Sequence, residues 1–433
     1  MLGWRITGHG EYKLDLPSLS AEEEELICAA ADKFREAARG GGGDGIIGGL
    51  LLQAAEEKGI YLERSQQSYL GSMARMHIYG LGFFEPLLAD PQIEEISVIG
   101  PKKPVYVYLR KKGWSSVNAA FDDEKALAEM VNRMASGMGR RITMQNPRLD
   151  AVLADGSRLH ASLPPISAGE ITIRKFREKP FSPLALCTGG TVSAEALAFL
   201  SVLMQSDCSI VVSGNTASGK TTTMNALFCF VPSDERVLIA EETPEIMIPH
   251  LHQMRLIANR DLGIGLRDLV YDTLRMRPDR MIVGEVRSRD EAEALFDVLL
   301  AGQARGCYAT FHAQSADETK SRLRHLGIAA DDLSSIDCIV VQRRMLQYDP
   351  KKRRCGEVRK VVEIAESGGV IYRAGSRMKR GGLFRRAAES FGLGEAAMEK
   401  EIEGRVRMIK KAPEDFMGFF EAVQKGLYGG RDD

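Results

Sequence analysis

Residues 213–221 read SGNTASGKT, which contains the phosphate-binding pattern GxxxxGK[ST]. Gly214 and Gly219 allow the backbone to turn so that consecutive N–H groups face phosphate oxygens. Lys220 then neutralises the β- and γ-phosphates, and Thr221 binds Mg2+. The pattern predicts a nucleotide site, and a glycine-rich turn without a ligand is the alternative. The predicted contacts are Gly214, Asn215, Thr216, Ala217, Ser218, Gly219, Lys220, Thr221 and Thr222.

Polar side chains end three apolar segments that follow this loop. The segments begin at residues 237, 281 and 308, and the polar residues after them are Glu241 and Glu245, Glu285, and His312. In a doubly wound sheet, the C-terminal ends of parallel strands form the ligand crevice. Hydrolysis at a phosphate loop needs an acid for the Mg2+ shell and a group that orients water. Taken singly, these residues are typical of surface acids and a core histidine, but together they predict a hydrolytic site.

The elements that must position these residues follow from the apolar pattern. After residue 190, β-branched apolar segments alternate with amphipathic helices, which predicts a parallel sheet covered on both faces. Near the start of the chain, Ser20 and the acids that follow it predict the beginning of a helix. The predicted regions are a helical segment at 1–78, a mixed α/β domain at 79–178, a linker at 179–190, a P-loop domain at 191–368 and a basic, helical tail at 369–433.

The composition excludes several classes of protein. The chain has 433 residues, of which 44% are hydrophobic and 27% charged, as in a soluble globular protein of two or three domains. A net charge of -1 argues against a broad basic surface for nucleic acid. The seven cysteines form no CxxC pair, which predicts neither a disulfide framework nor a cysteine zinc site and fits a reducing cytosol. Without a run of about 20 apolar residues or a signal peptide, any membrane role is predicted to be peripheral.

The order of the motifs resembles the secretion ATPase superfamily of type II and type IV secretion, pilus assembly and the archaellum, above all its archaeal-type branch. Residues 241–245 resemble its Asp box, residues 275–287 its atypical Walker B motif and residues 306–313 its His box. The resemblance covers about residues 12–366, and the tail beyond about 370 matches no motif of the family. Two departures are Glu242, where the family often has Asp, and the lack of a four-cysteine zinc insertion, so no structural zinc is expected.

The resemblance implies a RecA-like P-loop core, preceded by a mixed α/β, PAS-like domain and a helical segment. It also implies roles for the polar residues. Glu285 would be the Walker B acid that acts on Mg2+ through water, and His312 would sense the γ-phosphate. Glu245 would polarise the attacking water, with Glu241 as the next candidate. Arginines of the N-terminal domain would reach the nucleotide across the cleft or from a neighbouring subunit, and those in matching positions are Arg158, Arg174 and Arg177. For Arg174 and Arg177, a solvated strand edge is the alternative.

The function that this resemblance implies is that of an ATPase that powers a secretion, pilus or archaellum machine. Its cofactors would be ATP and Mg2+. It would act as a ring, a hexamer by resemblance, that opens and closes with ATP hydrolysis at the cytoplasmic face of the membrane beside a polytopic platform protein. One alternative is a motor that translocates nucleic acid, which the lack of a basic groove with interleaved aromatic residues disfavours. Another is a regulator that binds nucleotide without turnover, against which the intact Lys220, Thr221, Glu285 and His312 argue.

A basic segment at residues 372–386 includes Leu383 and Phe384. Two interpretations are open. One is a flexible surface segment. The other is a contact for acidic lipid headgroups or for a platform protein, because each basic residue near an anionic membrane gains about 1 kcal/mol.

Overall fold

The computed structural model describes residues 3–7, 9–16, 19–38, 46–110, 112–136, 140–176, 179–259, 262–302, 304–350 and 353–429. The chain divides into two compact units, Met1–Arg177 and Glu178–Asp433. Each unit has a hydrophobic core of its own, because the apolar clusters of the first unit and of the second share no residue.

The first unit combines a layer of helices with an antiparallel sheet. Its elements are β1 (Trp4–Ile6), α1 (Ala21–Ala38), α2 (Ile47–Glu57), α3 (Arg64–Ile78), α4 (Phe84–Ala89), β2 (Ile93–Val98), β3 (Pro104–Leu109), β4 (Gly113–Phe121), α5 (Glu124–Ala135), β5 (Arg148–Val152), β6 (Arg158–Ser162) and β7 (Glu170–Arg174). The described strands pair in the order β1-β4-β3-β2-β7-β6-β5. Helix α1 begins where the sequence predicts. Ser20 Oγ accepts the backbone N–H of Glu23 at 3.3 Å, and Glu23 Oε2 accepts the backbone N–H of Ser20 at 2.8 Å.

The second unit is built around a mostly parallel sheet. Its elements are α6 (Pro183–Thr188), α7 (Ala194–Gln205), β8 (Ile210–Gly214), α8 (Lys220–Leu227), β9 (Val237–Glu241), β10 (Gln253–Ile257), α9 (Leu266–Thr273), β11 (Arg280–Val286), α10 (Arg289–Ala301), β12 (Gly306–Phe311), α11 (Ala316–His325), β13 (Cys338–Asp349), β14 (Arg354–Glu366), β15 (Gly369–Arg373), α12 (Gly382–Ser390), α13 (Glu395–Lys411) and α14 (Phe416–Tyr428).

The strand order of this sheet is β10-β9-β11-β12-β8-β13-β14-β15. The first six strands in this order, from β10 through β9, β11, β12 and β8 to β13, pair in parallel. Strands β14 and β15 then add to the sheet in antiparallel pairing. One strand, β12, separates β8 from β11, as in RecA-like P-loop domains. Along β8, Ile210 and Val212 pack in one apolar cluster and Val211 packs in another. Successive residues of this strand therefore face opposite sides of the sheet. The fold class predicted from the sequence, a RecA-like core with helices on both faces, is therefore confirmed.

Two segments outside the predicted P-loop domain share its core. Helix α6 lies in the segment predicted as a linker, yet Leu186 packs in the apolar cluster of the second unit. The tail predicted at 369–433 contributes β15 and helices α12 to α14, and Leu383 and Phe384 on α12 are only 5% and 4% exposed. The prediction of a flexible surface segment at 372–386 is wrong, because four apolar residues on one face of α12, Leu383, Phe384, Ala387 and Ala388, are buried in that cluster.

Helix α12 is also anchored by charge. The Glu366 carboxylate accepts the backbone N–H groups of Gly382 and Leu383 at 3.1 and 2.6 Å, which satisfies the start of the helix. The Arg386 guanidinium lies 2.5 Å from Asp337. In the part of the chain that the structure describes, no helix is long and apolar enough to span a membrane.

Candidate active site

The phosphate loop joins the end of β8 to the start of α8. Ala217 and Gly219 have φ values of 58° and 97°, a left-handed backbone that glycine adopts without strain. A Cβ atom at Gly214 would lie 2.0 Å from the carbonyl oxygen of Gln342 on β13, so only glycine fits there. The loop therefore ends directly at the N-terminus of α8, where backbone N–H groups and the helix dipole favour an anion. This geometry fits a phosphate group.

Three of the predicted site residues, one nucleotide-binding and two catalytic, meet beside this loop. Lys220 Nζ lies 3.5 Å from Glu285 Oε1, and His312 Nε2 lies 2.6 Å from the same oxygen. Lys220 Nζ is also 3.4 Å from each ring nitrogen of His312. The three side chains come from α8, the end of β11 and the residue after β12, so neighbouring strands deliver them to one edge of the sheet.

The electrostatics of this cluster follow from its burial. Burial lowers the pKa of Lys220, and the charge of Glu285 opposes that shift. Burial, followed by the charge of Lys220, lowers the pKa of His312. Burial raises the pKa of Glu285, but bonds and charges from Arg287, His312 and Lys220 outweigh it and hold that pKa below its usual value. The opposite charges of Lys220 and Glu285 therefore offset part of the cost of burying each group.

Arg287 is a site residue to which the sequence analysis assigned no role. Its Nε donates to Glu285 Oε2 at 2.7 Å, and its Nη1 donates to Glu242 Oε2 at 3.0 Å. Arg287 thus links Glu242, which follows β9, to Glu285 on β11. A signal was present in the sequence, because Arg287 follows Glu285 by two residues and such residues share one face of a strand.

The loop after β9 places Glu245 against the phosphate loop. Thr221 Oγ1 donates a hydrogen bond of 2.7 Å to Glu245 Oε2. Glu241 does not reach that position and is only 1% exposed. Its Oε1 accepts the backbone N–H groups of Glu245 and Ile246 at 2.8 and 2.9 Å, and Arg255 Nε lies 3.4 Å from its Oε2.

This arrangement gives Glu241 a structural task. Burial raises the pKa of Glu241, and the two backbone bonds and Arg255 oppose that shift. The expectation that Glu241 is an alternative water-polarising group does not fit, because the carboxylate is enclosed and engaged by the loop backbone. Glu241 instead shapes the turn that carries Glu245 to Thr221.

The oxygen donors at this site fit Mg2+ better than a metal held by protein ligands alone. Among the described residues, no three His, Cys, Asp or Glu side chains are grouped so that they could hold a metal ion. Mg2+ usually keeps several waters and binds one or two carboxylates together with substrate phosphates. The Thr221 hydroxyl, with Glu245 beside it and Glu285 on β11, supplies that kind of incomplete oxygen shell.

The remaining predicted contacts of the phosphate loop differ in exposure. Thr216 is exposed, Ser218 is buried, and Thr222 is half-buried. The side chain of Asn215 does not face the loop interior but bonds to the backbone of β13. For Asn215 the sequence pattern therefore indicates the position in the motif, and the fold decides what its side chain contacts.

The predicted arginines belong to the first unit, whereas Lys220, Glu285 and His312 belong to the second. Arg158 on β6 and Arg174 on β7 are direct cross-strand partners. Arg174 is exposed and is also opposite Glu95 on β2. Arg177 lies outside the described residues.

The sequence matches the model of a known protein family over most of its length. The family is described as type II/IV secretion system protein, and the match covers residues 79–408. The chain belongs to this family. The resemblance seen in the motifs is confirmed, although the family match begins at residue 79 rather than near 12 and continues beyond 370 into the tail. The family match therefore includes helix α12 and most of helix α13.

Individual relatives in this family come from archaea and bacteria. An uncharacterized protein of Methanocaldococcus jannaschii is 33% identical over 309 residues, which are 69% of this chain and 55% of that protein. The type IV secretion system protein VirB11 of Bartonella quintana is 26% identical over 336 residues, 62% of this chain and 93% of VirB11. The chain thus spans about half the length of the archaeal relative.

Solved structures with a similar fold include a pilus retraction motor and an ATPase. The pilus retraction motor PilT with bound ADP has a TM-score of 0.49 at 15% identity, over 81% of this chain and 93% of PilT. The ATPase DotB of Legionella pneumophila has a TM-score of 0.48 at 16% identity, over 81% of this chain and 91% of DotB.

Proposed function

We propose that this protein hydrolyses ATP with Mg2+ and that the energy drives a secretion or pilus-type assembly machine, of which the archaellum is one form. The observation that carries the proposal is the cluster of Lys220, Glu285 and His312 beside a glycine-constrained phosphate loop. Membership of the type II/IV secretion family supports the kind of machine. VirB11, DotB and PilT carry names that refer to secretion, ATPase activity and pilus retraction.

In this proposal each side chain has a distinct task. Lys220 leaves its contact with Glu285 and neutralises the phosphates, while the N-terminus of α8 supplies backbone donors. Glu245, held by Thr221 and by the turn above Glu241, orients the attacking water. Thr221, and Glu285 through water, would hold Mg2+, which would supply positive charge to balance the developing charge on the phosphate oxygens. His312, which contacts Glu285, senses the γ-phosphate.

We further propose that the protein works as a ring, with six copies as the expected number. In that ring Arg158, Arg174 and Arg177 reach the nucleotide of a neighbouring subunit and stabilise transition-state charge. An arginine supplied in this way contributes a large part of the rate in other phosphoryl-transfer enzymes. The exposed position of Arg174 on β7 is consistent with a contact outside its own unit's core.

Glu285→Gln tests the hydrolytic role. We expect the variant to bind ATP but to turn over at least about tenfold more slowly, equal to about 1.4 kcal/mol, because the neutral amide no longer balances Lys220 and Arg287. Phosphate release and nucleotide binding are measured on the same preparation. Glu293→Gln, on a surface carboxylate that pairs with Arg289 on α10, is the matched control and should leave turnover unchanged. Lost ATP binding with an unchanged rate per bound site would make Glu285 structural.

We propose that the motion is delivered at the cytoplasmic face of the membrane to a polytopic platform protein, with anionic lipid as a second contact. Turnover should then rise in the presence of vesicles that contain anionic lipid, and it should not respond to single-stranded DNA. The measurement is phosphate release with each addition at two salt concentrations, because contacts with an anionic surface weaken as salt increases. Stimulation by DNA alone would favour a nucleic-acid motor instead.

A further inference from the structure

The side chain of Asn215 in the phosphate loop is bonded to a strand far away in the sequence. Asn215 Nδ2 donates to the carbonyl oxygen of Arg344 at 2.9 Å, and the Arg344 backbone N–H donates to Asn215 Oδ1 at 2.8 Å. The parallel ladder between β8 and β13 ends one position earlier, at Gly214 and Gln342. The side-chain amide of Asn215 therefore extends the hydrogen bonding between β8 and β13 beyond the last backbone pair.

Gln342, the residue where that ladder ends, makes a second set of contacts with the loop and with α8. Its Oε1 accepts from Thr223 Oγ1 at 2.5 Å. Its carbonyl oxygen would lie 2.0 Å from a Cβ atom built at Gly214, and its side-chain Nε2 would lie 2.8 Å from one built at Gly219, so the loop is in close contact with both the backbone and the side chain of Gln342. The phosphate loop consequently has little room to move without moving β13.

Beyond this contact, β13 and β14 form a ribbon that pairs with no other strand in the part of the chain that the structure describes. We define the ribbon as residues 343–349 and 354–360. Strand β8 pairs with β13 only as far as Gln342, and β15 pairs with β14 only from Glu363 onward, so the described strands pair the ribbon only with itself. Leu346 and Tyr348 in the ribbon are 74% and 58% exposed.

A two-stranded ribbon of this kind depends on the anchorage at its base. An isolated hairpin is marginally stable in water, and seven residues at about 3.3 Å each extend about 20 Å. An ion pair of 2.5 Å between Arg344 and Glu357 crosses the ribbon at the level of the Asn215 contact. Arg344 therefore joins the Asn215 contact to both strands of the ribbon.

We propose that Asn215 is a positioning residue that couples the phosphate loop to this ribbon, so that nucleotide binding changes the conformation of the ribbon. The proposal rests on the proposed nucleotide site. When the loop adjusts to phosphate, it must either break the two hydrogen bonds between Asn215 and Arg344 or carry Arg344 with it. Because Gln342 is packed against the same loop, movement of Arg344 together with the loop is favoured. The ribbon then presents Leu346 and Tyr348 differently in the empty and the nucleotide-bound states.

Hydrogen exchange of the full chain tests the coupling, with mass spectrometry of peptides from the ribbon. Exchange is measured without nucleotide and with Mg2+ plus ADP or a non-hydrolysable ATP analogue, at concentrations that saturate each variant. In the wild-type chain we expect the exchange rates of ribbon amides to change at least about threefold on binding, because local opening depends on anchorage. Asn215→Ala should remove that response at full occupancy.

Two further variants separate coupling from a general disturbance of the loop. Asn215→Asp keeps the acceptor for the Arg344 N–H but loses the donor to the Arg344 carbonyl, so its response should be reduced. Glu293→Gln, on the surface of α10 and outside the phosphate loop, should keep the wild-type response. Far-UV circular dichroism and a thermal melt establish that each variant is folded, and Asn215→Asp alone decides the case if Asn215→Ala does not fold.

Three outcomes would overturn the coupling. Ribbon exchange that ignores bound nucleotide in the wild-type chain contradicts it, while the ATP site stands. A normal response in both Asn215 variants shows that another contact transmits the change. A wild-type chain that binds neither nucleotide removes the proposed function as well, which a direct binding measurement identifies.

Discussion

Lys220→Ala is expected to abolish nearly all ATP hydrolysis, with a loss of at least about 100-fold, equal to about 2.7 kcal/mol. Lys220 is 8% exposed and its Nζ lies 3.5 Å from Glu285 Oε1, so its ammonium group is held beside the phosphate loop. Without it, the Glu285 carboxylate remains beside the incoming phosphates and repels them. The measurement is phosphate release at saturating ATP. Lys125→Ala, at an exposed lysine of α5, is the control and should retain wild-type turnover.

Mixing this variant with Arg174→Ala extends the same experiment to the ring. Arg174→Ala should bind ATP yet be nearly inactive, because a group that acts only in the transition state affects turnover rather than affinity. If the arginine acts on a neighbouring subunit, mixed rings regain partial activity, since each chain supplies what the other lacks. Mixtures no more active than either variant, with mixed rings verified by mass, exclude action between subunits. Normal turnover in a folded Lys220→Ala chain would remove the proposed function itself.

Arg280→Met is expected to lower the free energy of unfolding by about 3–5 kcal/mol, the largest stability effect we predict. Arg280 is fully buried at the start of β11. Its Nε and Nη2 donate to Glu235 at 2.5 and 3.3 Å, and its Nη1 donates to the Tyr308 hydroxyl at 2.9 Å. Although burial opposes the charge of Arg280, Tyr308 and Glu235 outweigh it and raise its pKa. The substitution leaves the buried Glu235 carboxylate without its main partner.

Denaturant unfolding of the full chain measures this loss. Arg305→Met is the matched control, because Arg305 also bonds Glu235, at 2.9 Å, but its own side chain is 55% exposed. Exposed ion pairs contribute about 0–1 kcal/mol, so the control should be nearly neutral. Removing Glu235 as well, in Arg280→Met with Glu235→Gln, should recover part of the loss because no unpaired charge stays buried. Equal losses for Arg280→Met and Arg305→Met would show that burial is not the cause.

Much of the site could be predicted from the sequence because its constraints are local. The phosphate loop depends on residues five apart, and Gly214, Gly219 and Lys220 carry that pattern by themselves. Glu285 and His312 could be identified because each follows an apolar strand, and parallel strands bring their C-terminal ends to one edge. Neither inference needs the order of the strands, since any parallel arrangement gathers those ends.

Only the tertiary structure decided how the remaining groups act. Nothing local distinguishes Glu241 from Glu245, but the first is enclosed beneath the loop and the second reaches Thr221. The apolar residues of the basic tail are buried because α12 packs on the core of the second unit, a contact between segments far apart in the chain.

The same distinction separates the two roles of the phosphate loop. Its sequence by itself determined a turn that can hold phosphate, because glycine stereochemistry and the N-terminus of α8 act within nine residues. The bond from Asn215 to Arg344 joins residues 129 positions apart. Such a contact exists only once β13 lies beside β8, because hydrogen bonds across a sheet depend on which strands become neighbours and in which register.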